Sequence, residues 1–185
     1  PKEYREAINY VNNEMDPHLV HGYMPNAGFE STRTAVAENL NKRFGSNFTF
    51  ENIIMTVGAG SSINVIMKTI FDPGDKQVVF APYFVEYANW ASNYHAETVV
   101  VPPNEANGFE PDPEALKKAL DPKVKVVIIN NPNNPTGAIY SRETLEKIAE
   151  VLKEAEKEYG HPIYIITDEP YRELVYVDKE IVFIP

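Results

Sequence analysis

Hydrophobic residues recur along this chain with two kinds of spacing, which predict two kinds of structure. Over residues 2–15 and 30–44 the apolar side chains repeat every three or four positions, as they do along one face of a helix. We expect each of these helices to bury its apolar face, with Gly45 ending the second one. A loop is expected between them, over residues 16–29.

From residue 46 onward, short apolar runs alternate with helical patterns. Most of these runs are apolar at successive positions instead of alternating with polar residues, which is typical of strands covered on both faces. The predicted strands are residues 53–57, 78–81, 97–101, 124–129 and 163–167. The predicted helices are residues 61–71, 84–93, 113–120 and 142–159, the last two capped by Asp112 and Ser141. We therefore predict an α/β fold, a three-layer αβα sandwich with a mainly parallel sheet, as one domain with residues 1–45 as its helical N-terminal part and 46–185 as its core.

Composition narrows the class of protein. The 185 residues are 43% hydrophobic, enough for a substantial core. With 17 basic against 27 acidic side chains the net charge is −10, which argues against a nucleic-acid surface and favours small-molecule partners. The absence of cysteine excludes disulfides and thiol chemistry and suits a reducing compartment. No apolar run is long enough to span a membrane and the first residues do not form a signal peptide, so we expect a cytoplasmic location.

A metal site is not expected. His18 and His21 lie three residues apart with Asp16 nearby. The proline at position 17 predicts a solvated loop there rather than a set of metal ligands.

A glycine-rich turn, Gly58-Ala59-Gly60-Ser61-Ser62, joins a predicted strand to a predicted helix. Free backbone N–H groups converge at such a helix start, where the helix dipole is positive, so the turn could bind a phosphate. Tight packing alone would explain the glycines equally well. A dinucleotide fingerprint would need Gly or Ala at Ile63 and an acidic residue after the next strand, and a Walker A loop would need Gly-Lys-Ser/Thr; the chain has none of these.

Aromatic and polar residues follow the next predicted strands, at the edge where ligands of open α/β sheets bind. The aromatic run 82–87 could stack on a flat ring, although packing inside a helix is the favoured interpretation for Tyr87 and an open alternative for Phe84. The run 130–137, Asn-Asn-Pro-Asn-Asn-Pro-Thr-Gly, could be only a turn, but its repeated asparagines favour hydrogen bonding to a ligand. Asp168 ends the last strand, where a buried carboxylate needs a partner such as a pyridinium nitrogen, or else caps a turn; Tyr171 could present its phenol to the same ring.

Together these residues resemble the fold-type I aminotransferases that depend on pyridoxal 5'-phosphate (PLP), the class I and II aminotransferase family. The resemblance covers nearly the whole chain in family order. It implies that Gly58, Ala59 and Gly60 bind the PLP phosphate. It also implies a homodimer, in which Tyr23 of a Tyr-x-x-x-x-Gly loop ending at Gly28 reaches the phosphate of the neighbouring subunit.

The same resemblance assigns roles around the PLP ring. Phe84 would stack on the ring, and Asn134 would bond its phenolic oxygen and lie near the substrate carboxylate. Tyr171 would bond the same oxygen, and Asp168 would keep the ring nitrogen protonated; these two are the expected catalytic residues. The implied activity transfers an amino group between an amino acid and a 2-oxo acid.

One family feature is not found. The Schiff-base lysine belongs to a Ser-x-Ser-Lys-like segment one strand further on, which this sequence does not contain. Lys68, Lys117 and Lys147 fall within predicted helices and cannot replace it. Two family arginines and the small C-terminal domain are also missing, and residues 182–185 resemble the approach to the lysine strand. The resemblance thus implies an incomplete large domain that is inactive by itself.

Three alternatives to an aminotransferase stay open at this level. A PLP-dependent lyase or synthase of the same fold would have a similar cofactor site. An aminotransferase-like regulatory or binding domain would sense PLP or an amino acid. In the third alternative, the glycine-rich turn binds only phosphate or sulfate.

Overall fold

The computed structural model describes residues 1–184, which group into two compact units, Pro1–Val57 and a second unit that begins at Gly58. The helices are α1 (Lys2–Asn13), α2 (Pro17–His21), α3 (Glu30–Phe44), α4 (Gly58–Ile70), α5 (Glu86–Ser92), α6 (Pro113–Ala119) and α7 (Arg142–Tyr159). The strands are β1 (Lys76–Phe80), β2 (Glu97–Val101), β3 (Val124–Asn130) and β4 (Tyr164–Asp168). The assignment of the whole chain to one incomplete large domain stays a prediction.

The second unit is a parallel sheet covered on both faces. Its strands lie in the order β2-β1-β3-β4, and every neighbouring pair is parallel. Because successive strand residues point to opposite faces, Val127 joins a core with Leu116 of α6 and Ile148 of α7, while Val126 joins a second core with Met67 of α4. Burying each such side chain contributes about 1.5–3 kcal/mol. The predicted α/β sandwich with a parallel sheet is confirmed.

The register of the two last strands brings two loops together. Asn130, the last residue of β3, lies opposite Asp168, the last residue of β4. Parallel strands end at the same edge of a sheet, so the segments that follow both strands start side by side. This edge carries the candidate site.

Several element boundaries agree with the sequence pattern. Strand β2 and helix α7 have the predicted bounds. The Ser141 hydroxyl accepts a hydrogen bond from the Thr144 N–H, and the Asp112 carboxylate accepts from the N–H groups of Glu114 and Ala115. Both predicted N-caps are therefore confirmed.

Residues 53–57 do not form the strand that was predicted. In this extended segment Ile54 and Val57 are exposed, and the Met55 N–H donates to the Ala27 carbonyl at 2.9 Å. No strand within residues 1–184 runs beside the segment, so its apolar residues have no sheet to join. The glycines that follow are also not a separate loop, because α4 already begins at Gly58.

The predicted loop over residues 16–29 contains a short helix, α2. The Asp16 carboxylate accepts a hydrogen bond from the His18 N–H at 2.8 Å, and Pro17 occupies the first helical position. A proline is well suited to that position because its missing N–H would have no helical partner. The proline that predicted a loop therefore starts a helix.

The first unit buries little of its apolar surface. All residues of α1 are exposed, including Ile8 and Val11 of its predicted inward face. On α3, Ala37 is buried. The prediction that α1 buries one face is wrong within this unit. The unit contains three α-helices and a short 3₁₀ helix (Phe50–Asn52), and it has no sheet for the face to cover.

Candidate active site

A cleft of about 180 Å³ lies in the second unit, beside the carboxyl ends of β3 and β4. Six of the residues predicted to hold a cofactor line it: Ala59, Gly60, Phe84, Asn134, Asp168 and Tyr171. Four further residues share the lining: Tyr87, Trp90, Asn130 and Pro170. The fold thus brings together side chains that lie more than a hundred positions apart in the sequence, around one space.

Asn130 connects the two strand ends. Its side-chain amide donates to the Asp168 carbonyl at 2.8 Å, and its Oδ1 accepts from the Asn134 N–H at 2.6 Å. The residue is only 5% exposed. One buried side chain therefore positions both Asn134 and Asp168, a role that the sequence did not suggest.

Two other asparagines hold the loop from within. The Oδ1 of Asn131 accepts from the Tyr140 N–H at 3.0 Å, and the Nδ2 of Asn133 donates to the Tyr140 hydroxyl at 3.1 Å. Asn133 also accepts from the N–H and the hydroxyl of Thr136. The side chains of Asn131 and Asn133 are thus used inside the loop. The side-chain amide of Asn134, in contrast, makes no hydrogen bond within residues 1–184.

Within residues 1–184, the side chain of Asp168 has a neutral donor beside it and no cation. The Tyr87 hydroxyl donates to Oδ2 of Asp168 at 2.5 Å, whereas no Lys or Arg among the described residues pairs with this carboxylate. Oδ1 receives no hydrogen bond from the described part of the chain. Burial, and then the bond to Asp168, raises the pKa of Tyr87 well above its ordinary value, so the phenol stays a neutral donor. The carboxylate remains available to a cationic group in the cleft.

Tyr87 is a site residue that sequence reasoning assigned to packing alone. It is 1% exposed and does belong to the core, as predicted, but its hydroxyl also reaches the cleft. Tyr87 and Phe84 are three residues apart where the chain enters α5, a spacing that places two side chains near each other on a helix and could have indicated the shared role.

Phe84 packs within the aromatic cluster and also lines the cleft, while its stacking on a ligand ring stays a prediction. Its ring packs edge-on against Tyr87, with centroids 5.6 Å apart, and against Trp90 at 6.0 Å. It also lines the cleft. A ring can therefore be part of a packed aromatic cluster and still present a surface to a ligand.

The turn that carries Tyr171 is fixed by a charged pair. Arg172 donates through Nε to Oε2 of Glu169 at 2.7 Å, and its guanidinium also donates to the carbonyls of Ile181 and Val182. Both charged side chains are largely buried, a setting in which an arginine with several acceptors is well satisfied. The phenol of Tyr171 makes no hydrogen bond within residues 1–184 and lines the cleft.

The glycine turn approaches the aromatic cluster closely. A Cβ added at Gly60 would lie 3.1 Å from the Trp90 ring. Gly58 has a φ of 78°, in the left-handed region that favours glycine. The two glycines are therefore needed for different reasons, one for space and the other for backbone conformation.

Gly58, which is predicted to bind the phosphate, does not line the cleft. Tyr23 and Gly28 belong to the first unit, and the role of Tyr23 at a neighbouring subunit's phosphate stays a prediction. No lysine among residues 1–184 lines the cleft. Lys117 and Lys147 form ion pairs with Glu154 and Glu143 on helix surfaces.

Within residues 1–184, no group of three or more His, Asp or Glu side chains is placed to hold a metal ion. None of the helices described is both long enough and apolar enough to cross a bilayer.

The chain belongs to the class I and II aminotransferase family, whose model matches residues 1–184. It is 38% identical over 154 residues to a probable aspartate/prephenate aminotransferase of Thermus aquaticus, covering 83% of this chain and 39% of that protein. It is 35% identical over 180 residues to an aspartate aminotransferase of Pyrococcus horikoshii, covering 97% of this chain and 44% of that protein.

Solved structures of aminotransferases are also similar to this chain. An amino transferase of Eubacterium rectale superposes with a TM-score of 0.94 at 38% identity, over 99% of this chain and 46% of that one. Aspartate aminotransferase of Thermus thermophilus with maleate superposes at 0.81 and 33% identity, over 94% of this chain and 45% of that one. The chain thus spans less than half the length of each of these relatives.

Proposed function

We propose that this chain forms the cofactor-binding part of a PLP-dependent aminotransferase, which transfers an amino group between an amino acid and a 2-oxo acid. One observation carries the proposal. The carboxylate of Asp168, the amide of Asn134 and the phenol of Tyr171 line one cleft, and each has hydrogen-bonding atoms not used within residues 1–184. These atoms face the same space, so one ligand can use all of them.

The chemistry of these groups fits PLP. A pyridinium N–H needs an anionic acceptor, which Asp168 offers, and a phenolic oxygen needs donors, which Asn134 and Tyr171 offer. Phe84 supplies an aromatic surface for the ring. Backbone N–H groups at the start of α4, a helix of 13 residues, suit a phosphate.

Each residue then has a defined task. Asp168 accepts the hydrogen bond of the ring nitrogen and keeps the proton there. Bound PLP supplies an electron sink for the pair left when a proton leaves the substrate α-carbon. Asn134 and Tyr171 would hold the phenolic oxygen through hydrogen bonds. Phe84 would offer its aromatic surface to the ring and help to exclude water.

The names of the relatives suggest substrates to try first. Those that match include aspartate and aspartate/prephenate aminotransferases, which supports aspartate as amino donor and prephenate as a candidate acceptor. We further propose that the full-length protein is a cytoplasmic homodimer engaged in amino-acid biosynthesis. Light scattering of the purified protein tests the dimer, and a mass of one subunit would contradict it.

The test uses the full-length protein, purified and mixed with PLP. We expect a visible absorbance band of the bound cofactor, and formation of oxaloacetate when aspartate and a 2-oxo acid are added. Consumption of the amino donor without a 2-oxo acid product would replace transamination by lyase chemistry. Absence of both the absorbance band and the product would overturn the proposal.

A further inference from the structure

Tyr87 is buried in the second unit and yet extends its hydroxyl to the charged group of the cleft. It is 1% exposed, and its hydroxyl lies 2.5 Å from Oδ2 of Asp168. Such a distance is typical of an O–H group donating to a carboxylate. The contact joins the beginning of α5 to the end of β4, which are 81 residues apart.

Neighbouring groups fix the position of this phenol. The Tyr87 carbonyl accepts a hydrogen bond from Nε2 of Gln77 at 2.8 Å, and Gln77 is fully buried on β1. The ring packs edge-on against Phe84 and Trp90, with centroids 5.6 and 6.0 Å away. A ring held in this way cannot turn its hydroxyl elsewhere without disturbing the core.

The bond also determines which carboxylate oxygen is left for a ligand. Oδ2 is occupied by Tyr87, while Oδ1 receives no hydrogen bond within residues 1–184 and Asp168 lines the cleft. Because the donor is neutral, it satisfies one oxygen without cancelling the negative charge. A lysine or arginine in the same place would offset the charge of the carboxylate and weaken its attraction for a cationic ring nitrogen.

We propose that Tyr87 is a positioning residue, which holds Asp168 so that its second oxygen faces the pyridinium nitrogen of PLP. The inference rests on the proposed function and extends it to a residue that does not touch the cofactor's ring nitrogen itself. Tyr87 should therefore affect the affinity for PLP only by way of the hydrogen bond between Asp168 and the ring nitrogen.

The decisive experiment compares two cofactors in the full-length protein. Apoprotein is titrated with PLP and with its deaza analogue, in which a C–H group replaces the ring nitrogen. In the Tyr87→Phe variant we expect the Kd for PLP to rise about tenfold, the effect of removing a hydrogen bond to a charged group. The Kd for the deaza analogue should change by less than about twofold, because this analogue has no ring N–H for Asp168 to accept.

Tyr140→Phe serves as the matched control. Tyr140 is also a buried tyrosine, 2% exposed, and its hydroxyl contacts Asn133 rather than Asp168. Any effect of this substitution should change both Kd values by the same factor. Thermal unfolding of each apoprotein establishes that the variants fold.

The possible results separate the two proposals. An equal rise of both Kd values in Tyr87→Phe, or no change in the Kd for PLP, would overturn the positioning role while leaving the aminotransferase proposal intact. Failure of the unsubstituted protein to bind PLP would overturn both.

Discussion

The two ends of the cleft differ in the chemical groups that they present to a ligand. At the ring end, Asn134, Asp168 and Tyr171 present side chains that other side chains hold in place. At the glycine turn, Ala59 and Gly60 line the cleft, and the important property of Gly58 and Gly60 is the absence of a side chain. The ring end should therefore be sensitive to atoms that are removed, and the glycine turn to atoms that are added.

The largest effect is expected at the ring end. Asp168→Asn keeps the shape of the side chain and removes its charge, so the ring nitrogen loses its anionic partner. Losing one partner of a buried charge pair costs about 2–5 kcal/mol, which predicts an aminotransferase rate lower by ~30-fold or more. The rate with aspartate in the full-length protein is the measurement, and circular dichroism checks folding. A rate within about threefold of the unsubstituted protein would show that the charge of Asp168 is not used.

The glycine turn offers a matched pair of insertions. Gly60→Ala places a Cβ 3.1 Å from the Trp90 ring, whereas at Gly58 an added Cβ meets nothing within 4 Å but the φ of 78° is unfavourable. We expect Gly60→Ala to lower the free energy of unfolding by about 1–3 kcal/mol through overpacking, and Gly58→Ala by about 1–2 kcal/mol through backbone strain. Urea denaturation measures both values.

A third substitution distinguishes the two causes at that turn. Combining Gly60→Ala with Trp90→Phe removes part of the ring that the new methyl group meets, so it should recover stability relative to the sum of the single changes. Strict additivity of the two changes would contradict a steric origin.

The two hydrogen bonds of Asn130 that support the ring end can be removed without changing a residue proposed to contact the cofactor. Asn130→Ala deletes the amide that joins the Asp168 carbonyl to the Asn134 N–H. Because both groups lie in a partly buried loop, we expect a loss of about 1–2 kcal/mol in the free energy of unfolding. Asn89→Ala is the control, since its amide contacts Glu86 on an exposed helix surface. An equal loss in the free energy of unfolding in the two variants would show that the hydrogen bonds of Asn130 do not stabilise the ring end.

The smallest effect concerns pH. The pKa of Tyr87 is raised in the folded state, so its contribution to stability is fully present below pH 10 and is lost as pH rises above the ordinary tyrosine value of 10.0. By pH 11 the native protein should lose about 1.4 kcal/mol more than Tyr87→Phe, relative to pH 9. Urea denaturation at the two pH values measures this difference, and parallel losses would contradict the burial of an un-ionised phenol.

The sequence predicted the sheet unit well because its signals are local. Continuous apolar runs and end caps such as Ser141 are properties of a few neighbouring residues, and α7 has the predicted bounds. Residues 53–57 show the limit of this reasoning. They have the composition of a strand, but a strand also needs a neighbour to pair with, and composition does not reveal whether one is present.

The motifs predicted some residues of the candidate site and missed others. Asn134, Asp168 and Tyr171 were found because they follow predicted strands in recognisable runs. The hydrogen bonds that Tyr87 and Asn130 make to Asp168 were missed, since these partners lie 81 and 38 positions away. Side chains that follow a strand in a recognisable run leave a local signal, whereas contacts between distant parts of the sequence become visible only in three dimensions.

The most direct test of the account is a crystal structure of the full-length protein with PLP bound. We predict that the free oxygen of Asp168 lies within hydrogen-bond distance of the ring nitrogen, with Asn134 and Tyr171 at the phenolic oxygen and the phosphate at the start of α4. A cofactor bound elsewhere, or one whose ring nitrogen faces away from Asp168, would contradict it.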